Sequence, residues 1–104
     1  MAFVPLEKLS RLHDGYQKAV TVGRHNLLLL QVDGNTYLIE NRCPHMDVPL
    51  SQGVQVPGGL IRCRAHGIEF NLETGKALGP LANQLDSLKK FTLVYDGDQV
   101  GIEM

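Results

Sequence analysis

Apolar and polar residues alternate in short stretches along this chain, and helical repeats are nearly absent. Tyr16 to Val22, His25 to Val32, Thr36 to Glu40, Leu60 to Arg62, Phe91 to Tyr95 and Gln99 to Glu103 have the β-branched, aromatic and alternating character of strands. Asp33-Gly34 and Asp96-Gly97 each fall between two such runs, and Asp-Gly suits a tight hairpin because that turn requires positive φ. Asp14-Gly15 and Thr74-Gly75 mark further turns. Leu27 to Leu30, an unbroken run of four leucines, reads as a buried strand. Only Leu6 to Leu9 and Ala82 to Ser87 offer a short helical piece. The pattern predicts an all-β fold, a small antiparallel β-barrel or sandwich.

Residues 41–81 break the rhythm. They hold Pro44, Pro49, Gly53, Pro57, Gly58, Gly59, Gly67, Gly75, Gly79 and Pro80, so strands there are short and loops dominate. This reads as a loop-rich subdomain carried on a base made of residues 1–40 and 82–104, whose two strand-like parts can pair into one sheet. At 104 residues, with no repeat or linker, the chain is a single domain. Its core is modest, with no Trp and only three Phe and three Tyr. Ten basic and eleven acidic residues give a net charge of −1, which argues against nucleic-acid binding. The start, Met1-Ala2-Phe3-Val4-Pro5-Leu6-Glu7, has neither the basic opening nor the apolar core of a secretory signal. The apolar runs are far too short to span a bilayer. A cytoplasmic protein is expected.

The chemistry of the chain is concentrated in two short pairs. Cys43-Pro44-His45 and Cys63-Arg64-Ala65-His66 contain both cysteines and two of the four histidines, in the arrangement C-x-H-x17-C-x-x-H. Each Cys has a His within three residues, which in an intracellular setting points to metal ligation ahead of a disulfide. Two thiolates and two imidazoles can hold zinc, although zinc sites usually take a pair of cysteines followed by a pair of histidines. A two-iron cluster suits the mixed pairs better, since each loop can give its Cys to one iron and its His to the other. Spacing alone leaves both metals open.

The pattern resembles the Rieske [2Fe–2S] signature, in which histidines replace two cysteines on one of the two irons. The resemblance covers nearly the whole chain. Gly67-Ile68-Glu69-Phe70-Asn71-Leu72-Glu73-Thr74-Gly75-Lys76-Ala77 is similar to the stretch leading from the second cluster loop into a hairpin. Leu78-Gly79-Pro80-Leu81 is similar to the proline loop that covers the cluster from a third side. The resemblance implies a Rieske fold and one [2Fe–2S] cluster per chain bound by Cys43, His45, Cys63 and His66, with Cys43 and Cys63 on one iron and His45 and His66 on the other. It implies a ferredoxin, a non-enzymatic one-electron carrier between a flavin-containing reductase and a terminal oxygenase. A small Rieske subunit of an assimilatory nitrite reductase shares the fold and size and is the nearest alternative. A zinc-bound interaction module is the alternative of another class.

The same resemblance sets expectations for potential and docking. Two thiolates bring the oxidised cluster to neutrality, so an electron is added more easily than to a four-thiolate site. In the high-potential members each loop carries an additional cysteine, and the two form a disulfide; the matching positions here are Val48 and Ala65. A serine and a tyrosine that donate to cluster sulfurs in that subgroup are matched by Ile68 and Phe70, which have no hydroxyl. A potential in the low part of the Rieske range follows. The expected docking surface is the tip where His45, His66, Met46 and Pro80 converge, with Arg42 or Arg64 steering an acidic partner. The carrier is expected to be a monomer. His13 and His25 lack a second ligand at metal spacing and read as structural or solvated.

Overall fold

In a computed structural model, nine strands and two single turns of 3₁₀-helix are formed by the described residues, which are 2–44, 49–64, 67–79 and 87–103. The strands are β1 (Phe3–Lys8), β2 (Gln17–Val22), β3 (His25–Val32), β4 (Asn35–Glu40), β5 (Val54–Val56), β6 (Leu60–Arg62), β7 (Glu69–Asn71), β8 (Val94–Asp96) and β9 (Gln99–Glu103). They form three antiparallel three-stranded sheets, ordered β1-β9-β8, β2-β3-β4 and β5-β6-β7. The all-β expectation holds.

The hairpins follow from local chemistry. Asp33 (φ 52°) and Gly34 (φ 81°) both take positive φ between β3 and β4, as a two-residue turn of this hand requires. In the β8–β9 hairpin the connection is Gly97-Asp98, with Asp96 still in the strand, one residue later than the Asp-Gly pattern suggests.

β3 is the middle layer of the molecule. Leu28, Leu30 and Val32 project into one core with Ile39, Leu50, Ile61, Phe70, Leu72, Leu88 and both cysteines. Leu27 and Leu29 project into the other, with Val22, Leu38, Val100 and Ile102. Alternate side chains of a strand point to opposite faces, so an all-leucine run is what a strand between two cores needs. Burying each leucine side chain stabilises the fold by about 1.5–3 kcal/mol.

Three expectations are corrected. Leu6 to Leu9 is not helical: Leu6 to Lys8 finish β1, and only Leu9–Arg11 make a 3₁₀ turn. Pro5 obscures this strand, yet β1 is an edge strand, where a residue without an N–H is tolerated. Phe91 to Leu93 are extended but outside β8; the segment is tied to β4 by the Ile39–Lys90 bridge and by Phe91 N–H donating to Leu38 O at 2.8 Å. The segments flanking 41–81 therefore contribute to two sheets, where one was expected. Ala82 to Asp86, the bulk of the second candidate helix, lie outside the described residues.

Candidate metal centre

Both cysteines sit at the same end of the strands. Asn41 follows β4 and is held beside the start of β3, its N–H donating to Asn26 O at 2.9 Å. Cys43 comes two residues later, fully buried. The opposite end of β3 and β4 carries the Asp33-Gly34 turn, and the β5–β6 turn joins it there through Gly58 N–H donating to Asp33 Oδ2 at 3.3 Å. The β6–β7 loop, which carries Cys63, is thereby placed at the other end of its hairpin, alongside Cys43. The two ends of that loop are tied together by backbone hydrogen bonds. Cys63 N–H donates to Ile68 O at 2.8 Å, Gly67 N–H donates to Cys63 O at 2.9 Å, and Gly67 takes φ 67°. Cys63 is 1% exposed. His45, His66, Met46 and Pro80 lie outside the described residues.

A polar set that sequence reasoning missed closes the first loop. Asn41 is the single buried polar residue among those described. Its Oδ1 accepts from Ser51 N–H at 2.8 Å, and its Nδ2 donates to Ser51 Oγ at 3.3 Å and Asn26 Oδ1 at 3.4 Å. Gln17 Nε2, from β2, donates to Ser51 O at 2.9 Å and Gly53 O at 3.1 Å. Asn41 and Ser51 are thus fastened to one another, and the buried amide has partners for both of its polar atoms. On the far side of the Leu50–Gln52 turn, a Cβ on Gly53 would lie 2.6 Å from Arg62 O, the residue before Cys63. The turn is a spacer between the two cysteine loops. Nothing in the spacing of Asn41, Ser51 or Gly53 along the chain announces this.

The surroundings of the thiols are apolar. Cys43 and Cys63 share a core with Phe70 and Leu50, and half-buried Ile68 packs against it. Tyr37 also packs there, and burial, reinforced by the Glu73 and Asp33 carboxylates, pushes its hydroxyl pKa up. Outside the core, Arg42 Nε pairs with Glu40 Oε1 at 2.7 Å and Arg62 Nη2 with Glu69 Oε2 at 2.8 Å. Arg64 is exposed with no ion-pair partner among the described residues. Beyond β7, Leu78 N–H donates to Glu69 O at 2.9 Å, and Leu78 is 43% exposed. His13 is exposed, and His25 stacks edge-on against Phe91 at 5.9 Å; neither joins a cluster of three or more metal-binding side chains among the described residues.

Neither cysteine is in a disulfide. Two buried thiols, brought to one end by two loops and shielded by apolar side chains, fit a site that binds iron through thiolates and keeps water from the sulfur. The Rieske [2Fe–2S] domain model matches residues 2–92. The chain belongs to the Rieske [2Fe–2S] domain family. Its cofactor is therefore a [2Fe–2S] cluster, which sets zinc aside. This Rieske chain is 32% identical over 98 residues to the ferredoxin component of the alkene monooxygenase system of Xanthobacter autotrophicus, covering 94% of this chain and 78% of that protein. It is similar in structure to the Sphingomonas yanoikuyae B1 ferredoxin, with a TM-score of 0.86, 26% identity and 99% of each chain covered. It is also similar to a chain in the complex of reduced oxygenase and oxidized ferredoxin of carbazole 1,9a-dioxygenase, with a TM-score of 0.80, 26% identity, and 93% of this chain and 97% of that one covered. The Rieske fold is that of its structural neighbours.

Proposed function

We propose that this protein is a ferredoxin, a one-electron carrier that takes an electron from a flavin-containing reductase and delivers it to a terminal oxygenase. The observation that carries this reading is the match of nearly the whole chain to the ferredoxin component of an oxygenase system. Cys43 and Cys63 would hold one iron through their thiolates, and His45 and His66 the other through their imidazoles. When bound, a [2Fe–2S] cluster accepts and releases one electron, and its mixed ligation raises the potential above that of an all-cysteine site.

The chain's own residues hold, shield and present the centre. Asn41, Ser51 and Gln17 brace the first loop, Gly67 closes the second, and Phe70, Ile68 and Leu50 exclude water from the sulfurs. Residues 41–81 act as the cluster-binding subdomain on a base of 1–40 and 82–104. Partners dock at the tip formed by His45, His66, Met46 and Pro80, to which exposed Leu78 adds apolar surface. The protein performs no catalysis of its own, acts as a monomer and works in the cytoplasm.

The test begins with the purified protein. A red-brown colour, an iron-to-protein ratio near two and reduction by a flavin-containing reductase are expected, with reoxidation by a terminal oxygenase. His66→Ala should lose the cluster and leave residues 41–81 protease-sensitive. A colourless zinc-loaded protein, or a tight complex with a sirohaem nitrite reductase, would overturn the reading.

A further inference from the structure

An open groove of about 460 Å³ lies where β3 begins and β4 ends, beside the first cysteine loop. Arg24, His25, Glu40, Arg42 and Pro49 are among its walls. Arg24, on the β2–β3 turn, is exposed and has no ion-pair partner among the described residues. Arg42 is held against Glu40 at 2.7 Å. At the margin, Glu40 N–H donates to Lys89 O at 2.8 Å, and Lys89 Nζ stands 5.9 Å from the centre of the Phe91 ring on which His25 also rests. Among the described residues, Arg24 and Arg42 thus line the groove with one carboxylate, Glu40, and Lys89 stands at its margin, on a chain whose net charge is −1.

At the far end of β3, Asp33 and Asp14 flank the β3–β4 turn, with Asp14 Oδ1 accepting from Gly34 N–H at 2.7 Å. These two carboxylates thus lie at the end away from the groove. Small-molecule pockets are mostly apolar with a few polar groups, whereas this groove is walled largely by charged and amide side chains. A nucleic-acid phosphate track would need many more cations. The groove suits carboxylates arriving on a protein surface.

We propose that the groove receives an acidic patch of the redox partner and so fixes the direction from which that partner approaches the metal end. This rests on the electron-carrier reading above. Complementary charge mainly raises the association rate and selects orientation. Arg24 and Lys89 are the residues that act, because Arg42 already has Glu40.

The probe is a fluorescein-labelled hepta-glutamate peptide, titrated by anisotropy into the cluster-loaded protein at about 20 mM and about 150 mM salt. Arg24→Gln/Lys89→Gln should weaken binding about fivefold at low salt, the effect of two lost exposed pairs. The difference should shrink at high salt. Asp33→Asn, which alters net charge at the other end, should leave binding nearly unchanged. Equal binding by parent and double variant overturns the proposal. An Asp33→Asn gain as large as the double variant's loss overturns it as well, since binding would then follow overall charge. Competition by free glutamate at concentrations comparable to the peptide would assign the groove to a small molecule and overturn it too. The absorption spectrum is recorded on each sample: failure of the peptide arm with an intact cluster refutes the groove and leaves the carrier reading standing, whereas absence of a cluster refutes the carrier reading itself.

Discussion

Gly53→Ala should loosen the metal centre without touching a ligand. Gly53 has ordinary backbone angles, φ −76° and ψ 175°, so alanine brings no conformational strain there. Space is the obstacle. A Cβ would sit 2.6 Å from Arg62 O and 3.0 Å from Leu50 O, both backbone atoms that cannot rotate away. Reaching even 3.0 Å from the Arg62 carbonyl requires a shift of at least 0.4 Å in the segment next to Cys63. Overpacking of this kind costs about 1–3 kcal/mol, which for a domain of this size lowers Tm by at least about 4 °C. The shift falls between the two cysteine loops, so iron should also be released to a chelator faster than from the parent, at temperatures well below either Tm. Gly101→Ala is the control. Its Cβ would lie 2.1 Å from Val4 O, in the β1–β9 pairing away from the cysteines. That variant should lose as much Tm or more, with little change in native-state iron release. Parental Tm and parental iron release in Gly53→Ala would refute the spacer reasoning, as would equal acceleration by Gly101→Ala.

Phe70→Tyr should raise the reduction potential of the centre, because a hydroxyl in the core shared with both cysteines can donate to sulfur and favour the added electron. A bond worth about 1.4 kcal/mol in the reduced state corresponds to roughly 60 mV by film voltammetry, and an unchanged or lower value would count against it. Arg64→Glu should slow second-order reduction by the reductase and weaken its salt dependence while moving the potential little, as stopped-flow measurement across a salt series will reveal. Acid stability should depend on Tyr16, whose hydroxyl donates to Glu7 Oε2 at 2.7 Å and, with Lys8 N–H, holds the carboxyl pKa below its usual 4.5. A lowered carboxylate pKa contributes stability above about pH 4.5 that disappears as pH falls through the folded-state value. Tyr16→Phe should therefore flatten the loss of Tm between about pH 5 and pH 3, measured by circular dichroism; an unaltered slope would reject the pairing as its cause.

Local grammar was enough for β2, β3, β4, β6 and β9 but missed β5 and β7, three-residue strands that also pair with a neighbour in sequence. β3, β6 and β9 have the limits expected from their residues, and β2 and β4 differ by one residue at their starts. Alternation and turn residues act over a few positions and need no distant information. The C-x-H-x17-C-x-x-H spacing is likewise written directly in the chain, and the structure brings its two cysteines into one core, while His45 and His66 lie outside the described residues. β1 was not legible, because its pairing with β9 bridges nearly the whole chain and overrides the warning given by Pro5. Nor could alternation reveal that Leu27 to Leu30 separate two cores, one holding the cysteines and the other Val22, Leu38, Val100 and Ile102. Asn41 reads in sequence as an ordinary polar residue after a strand, and Gly53 as one glycine among many. Their roles depend on Ser51 and Arg62 arriving beside them from other elements. Ligand chemistry belongs to single residues and can be read one at a time, but the distance between the two cysteine loops is set by packing, which exists only once the sheets have closed on one another.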